Sequence, residues 1–111
     1  MDFERKHFVR FAVAVALACY GRPTDQSMTS DEAAKLVKWV IDMALGPAAM
    51  HIVVEPIRSY PPSGKVPLII SMVGVQQYLF WFYPNQPFEQ KCEALSDMLS
   101  ELPVTYDSVP A

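Results

Sequence analysis

Cysteine is scarce. Cys19 and Cys92 are the only two in 111 residues, and no Cys-x-x-Cys motif or Cys/His cluster accompanies them. That count excludes a disulfide-dense secreted scaffold and a zinc knuckle. Both cysteines fall in helical patterns, so two buried free thiols are expected, with a single bridge between them as the alternative. Histidine is equally rare. His7 and His51 have no carboxylate or cysteine at ligand spacing, so no metal or other cofactor is expected. His51 and Glu55 would lie about 13 Å apart along an extended strand, too far for an acid–base pair. The four glycines are isolated, which removes a phosphate-cradling loop, and there is no G-x-S-x-G elbow. Cys92 lies early in a helical pattern but shares its apolar seam, which makes it a core thiol rather than a nucleophile. No catalytic constellation remains, and the chain does not read as an enzyme.

Positive charge is also in short supply. Nine basic residues face twelve acidic ones, for a net charge of −3. Direct nucleic-acid binding or adhesion to a membrane surface needs a basic face, so neither is expected. Long apolar helical runs are missing as well. Phe11–Tyr20, FAVAVALACY, is about half of the ~20 residues a membrane span requires. It loosely resembles a signal-peptide core, but Asp2 and Glu4 sit among the preceding basic residues. The expectation is a cytoplasmic protein whose first helix is buried.

Apolar residues make up 51% of the chain, enough for a real core in one domain spanning residues 1–111. The organising stretch is Val66–Pro84, VPLIISMVGVQQYLFWFYP, which carries no charge and ends in six consecutive aromatic or aliphatic residues. Such β-branched and aromatic density favours strands, and the lack of polar alternation predicts that both faces are covered. Eighteen residues of strand would reach roughly 60 Å. The chain must therefore bend, and Gly74 is the residue with the freedom to allow it. This divides the stretch into strands at 66–73 and 77–83 around Gly74–Gln76. A further strand is expected within Met50–Tyr60, with Pro56 confining it to a sheet edge. The turn Tyr60–Lys65 joins it to the next strand as a hairpin.

Three helices complete the reading. Residues 3–20 place Phe8, Phe11, Ala12, Val15, Ala16 and Cys19 on one face, yet Val9, Val13, Ala14 and Leu17 make the opposite face apolar too. A helix apolar all round is buried by its own chain or by a partner. The second helix starts at a Thr29-x-x-Glu32 capping box, buries Ala33, Leu36, Val37, Val40, Ile41 and Ala44, and stops at Gly46-Pro47. The third opens at Pro87 and steps along Phe88, Cys92, Leu95, Leu99 and Leu102. The order α-α-β-β-β-α implies an α+β fold: a small three-stranded antiparallel meander packed with three helices.

Two features point towards interaction. If helices cover one sheet face, the other presents either Leu79, Trp81 and Tyr83 or Tyr78, Phe80 and Phe82, a patch larger than soluble monomers usually leave wet. Charge is also segregated: residues 85–111 hold five acidic side chains against Lys91, a net −4, while residues 1–84 sum to +1. Glu89, Glu93, Asp97 and Glu101 are successive i,i+4 neighbours and form one acidic ridge. Like charges at that spacing cost a few tenths of a kcal/mol per pair in an isolated helix, a cost a basic partner groove would turn into specificity. The expectation is a small acidic non-enzymatic protein-binding module (an adaptor, chaperone or inhibitor) acting as a homodimer. Its contact residues are Tyr78, Trp81, Tyr83 and the ridge. The alternative is a ligand-binding or enzymatic domain with a pocket lined by Met72, Tyr78, Trp81 and Tyr83.

Overall fold

The computed structural model describes residues 3–20, 29–57, 65–72 and 77–102. Three α-helices and three strands follow in the order α-α-β-β-β-α: α1 Phe3–Cys19, α2 Ser30–Leu45, β1 Ile52–Pro56, β2 Val66–Met72, β3 Tyr78–Phe82 and α3 Phe88–Glu101. The strands form an antiparallel sheet in the order β1-β2-β3. This is an α+β fold with the meander expected from the strand pattern. The bend at Gly74–Gln76, most of the Tyr60–Lys65 turn and the Asp2 side of the first helix lie outside the described residues.

The α2 start follows the sequence closely. Thr29 takes an extended conformation, its Oγ1 accepts the Glu32 N–H, and the Glu32 carboxylate accepts the Thr29 N–H, both at 3.2 Å. Gly46 ends the helix at φ 60°, ψ −132°, a backbone region open to glycine but costly for other residues. A 3₁₀ segment, Gly46–His51, then intervenes before β1. The sequence pattern missed it, because Pro47 marks a stop but is equally suited to the first turn of a new helical segment. Lys38 fastens this segment: its Nζ donates to the Ala49 carbonyl at 3.1 Å and to Asp42 at 2.7 Å.

Two prolines are placed by the ladder's hydrogen-bond parity. Ile57 donates to the Pro67 carbonyl at 3.1 Å, so residues 53, 55 and 57 point their backbone groups at β2. Pro56 therefore aims its donorless nitrogen at the free edge of the sheet, where no ladder bond is lost. Pro67 faces Ile57 at the end of the same ladder, where its carbonyl accepts from Ile57 and its missing N–H leaves only the return bond of that terminal pair unmade.

One sheet face carries Ile52, Leu68, Ile70, Met72, Phe80 and Phe82, all buried. These residues share a single core with Leu36, Val37, Val40 and Ile41 of α2 and Leu95, Met98 and Leu99 of α3. α2 packs over β1 and β2, and α1 packs against both α2 and α3. Removing a side chain such as Phe82 from water contributes about 2–3 kcal/mol.

Two expectations about helix faces need correction. On α1 the buried residues are Val9, Val13 and Ala16, whereas Phe8, Phe11, Val15 and Cys19 are exposed. Apolar residues all round give no periodic preference, so docking chose the face. Small and β-branched side chains at 9, 13 and 16 fit where two helices approach one. Cys19 is consequently an exposed free thiol and only Cys92 is buried. On α3, Phe88 is exposed at the helix start, and Met98 joins the seam instead.

Trp39 ties α1 to α2. Its Nε1 donates to the Ala16 carbonyl at 3.1 Å and its ring meets Tyr20 edge-on at 6.4 Å.

Candidate functional site

The sheet's second face lies away from the helices. Strand parity and register lay it out as a lattice of rows running across β1, β2 and β3. Val53, Ser71 and Gln77 make the first row, and Glu55, Ile69 and Leu79 the second. Ile57, Pro67 and Trp81 form the third, followed by Lys65 beside Tyr83. Leu79 and Val53 are each 46% exposed and Tyr83 39%, while Phe80 and Phe82 on the opposite face fall to 8% and 2%. Of the two faces the aromatic strand could present, Leu79, Trp81 and Tyr83 form the outer one. The helices do not close over it, and α1 stays on the helical side, packed on α2 and α3. Pro67 is nonetheless buried and Ile57, Ile69 and Trp81 half-buried, so the expectation that both faces are covered holds only in part among the described residues.

Among the described residues two charges belong to this lattice, Glu55 and Lys65. Lys65 lies across Trp81, its Nζ 5.4 Å from the ring centroid. Half-buried Trp81 is thereby held in place by a cation at its face.

Tyr78 is placed elsewhere. It belongs to the helical side of the sheet, half-buried, and its hydroxyl donates to Glu101 at the end of α3. That bond to a carboxylate, with some burial and the negative charge itself, pushes the Tyr78 phenol up to about 12. Met72 and Tyr78 thus lie on one side of the sheet and Trp81 and Tyr83 on the other, and the four line no common pocket.

Glu89, Glu93, Asp97 and Glu101 are all exposed along α3. Glu101 is engaged by Tyr78, which leaves Glu89, Glu93 and Asp97 as the outward part of the ridge. Lys91 is the one basic residue on this helix. It is turned inward, 8% exposed, with its Nζ donating to the Pro84 carbonyl at 3.4 Å. Burial holds its ammonium below the usual lysine range. Burial likewise pushes the Cys92 thiol up, which disfavours the reactive thiolate.

Elsewhere, an open groove beside β1 is lined by Asp31, Lys35, Lys38, Asp42 and Trp39 of α2. Lys38 and Asp42 pair with each other there, and the groove brings together no nucleophile and base. Among the described residues no group of three His, Cys, Asp or Glu side chains could hold a metal ion. No helix among them is long and apolar enough to cross a membrane.

The sequence pattern missed Val53, Ile69, Glu55 and Lys65 as members of the outer face. Their membership depends on which strand residue stands opposite which, and only the register supplies that. Comparison with protein-family models, with curated proteins and with solved structures finds no match.

Proposed function

We propose that this chain is a small non-enzymatic protein-binding module, acting as an adaptor, chaperone or inhibitor, and that it docks through the outer sheet face. One observation carries the reading: an apolar lattice from Val53 to Tyr83 faces away from all three helices in a protein with an otherwise well-filled core. Large exposed apolar patches mark interaction surfaces. The outward ridge of Glu89, Glu93 and Asp97 supplies a second contact, suited to a basic groove on a partner, where it speeds encounter and excludes acidic competitors.

The test is capture from the native host with tagged full-length chain. Leu79→Asp places a charge in the lattice, and Glu93→Lys with Asp97→Lys reverses the ridge. Both variants should melt like the parent while losing the captured protein. Retention of the same protein by both variants would remove these surfaces from the account.

A further inference from the structure

The edge of β1 beside α2 presents an uneven set of backbone groups. Residues 53, 55 and 57 face β2, so Ile52, Val54 and Pro56 direct theirs outward. The Ile52 N–H is already given to the Ala49 carbonyl at the end of the 3₁₀ segment, and Pro56 has no N–H. Among the described residues this edge therefore offers one donor, the Val54 N–H, and three acceptors, the carbonyls of Ile52, Val54 and Pro56.

The Val54 side chain lies on the helical side of the sheet, half-buried against the core. Val54 and Pro56 share a groove of about 620 Å³ with Asp31, Ala34, Lys35 and Trp39 of α2. Asp31, Lys35 and Trp39 are successive i,i+4 neighbours and all exposed, so an open helical stripe runs alongside the unfilled edge. We infer that this groove takes an extended peptide segment of another protein, added to β1 as a further strand with an apolar side chain against Trp39. The surface is separate from the outer sheet face and owes nothing to it.

Strand addition draws affinity from main-chain bonds and specificity from alternate side chains. An antiparallel segment centred on Val54 exchanges both bonds with it, while the residues two before and two after donate to the Ile52 and Pro56 carbonyls. That makes four bonds, from N–H groups at three alternate residues and a carbonyl at the central one. The central residue projects its side chain beside Val54, towards Ala34 and Trp39, which selects an apolar one. The same count tells against β1 pairing with β1 of a second copy. Centred on Val54, that pairing sets Ile52 against Pro56, and neither has an N–H to give. Only the two Val54 bonds would form, so the edge is blunted against its own kind yet open to a strand with a full set of donors.

Short linear peptides selected on the full chain from a displayed random library provide the probe. Bound peptides should weaken about tenfold or more on Val54→Pro, which deletes the donor, and keep most of their affinity on Val54→Ala, which retains it. N-methylation along a bound peptide should alternate, with losses of about tenfold at the three donating residues and little change at the two between them. In the dilute chain the Val54 amide should exchange quickly, those of Val53, Glu55 and Ile57 slowly, and added peptide should slow Val54. Should Val54→Pro fail to fold, the N-methyl pattern and the Val54 amide decide alone. A library yielding no peptide tighter than about 1 mM overturns the inference. So does binding indifferent to Val54→Pro and to the N-methyl positions, or a Val54 amide already slow in the dilute chain. Slowing of that amide by chain concentration alone assigns the edge to a second copy and overturns it too. Peptides lost on Leu79→Asp but kept by Val54→Pro lie on the outer face, which supports the docking reading above and contradicts this one.

Discussion

Replacing Tyr78 with phenylalanine removes one oxygen from the fold and tests how α3 is held to β3. In the parent that oxygen donates to Glu101, the last residue of α3. Hydrogen bonds to charged groups contribute about 1.5–3 kcal/mol when shielded, and an exposed pair contributes less. Tyr78→Phe should therefore cost about 1 kcal/mol at neutral pH, a fall in Tm of about 4 °C for a chain of this length.

The dependence on pH has a definite sign. The phenol is raised from 10.0 to about 12 in the folded protein, so folding favours its protonated form. The contribution is complete below pH 10 and is lost as pH rises towards about 12. Denaturant titrations across this range should show the parent converging on Tyr78→Phe. Phenolate absorbance offers a second readout: one of the five tyrosines should ionise late in the parent, and that phase should be missing from the variant. Glu101→Gln keeps an acceptor but deletes the charge, so its late phase should move back towards the ordinary value. Equal melting of parent and Tyr78→Phe, with the late phase intact in both, would refute the reasoning.

Further outcomes follow from local structure. Thr29→Ala removes the acceptor of the capping box and should cost about 1 kcal/mol in denaturant unfolding, while Thr29→Asp keeps most of it. Gly46→Ala meets no steric obstacle, since nothing lies within 4 Å of the added carbon, but it forces a side chain into positive φ. It should destabilise by about 1–3 kcal/mol in the same assay, and a neutral result would contradict the backbone assignment. A thiol reagent should label Cys19 rapidly in the folded chain and Cys92 only after denaturation, giving one equivalent and then two.

Much of this fold was legible in the residues, and the exceptions share a cause. The capping box, the α2 face, the edge position of Pro56 and the division of Val66–Pro84 into two strands each rest on a local rule, and each appears in the structure. The α1 face did not follow, because a helix apolar on every side leaves the choice to its neighbours. Phe88 was misplaced because the first residue of a helix can satisfy the spacing while hanging clear of the core. For the candidate surface, the aromatic strand announced an apolar face but not which set of alternating residues would form it. That was decided by β2, where Leu68 and Ile70 bring Phe80 and Phe82 under the helices and send Leu79 and Trp81 outward. Glu55 and Lys65 gained their meaning from register alone.

The measurement that bears most directly on the central claim is covalent side-chain labelling of the full chain, dilute and purified against concentrated and in host extract. Protection of Val53, Leu79, Trp81 and Tyr83 in the concentrated or extract samples, with Glu55 and Lys65 protected alongside them, is the predicted result. Labelling of those side chains that stays the same in all three conditions would contradict it, because a face that is never covered cannot be where this protein docks.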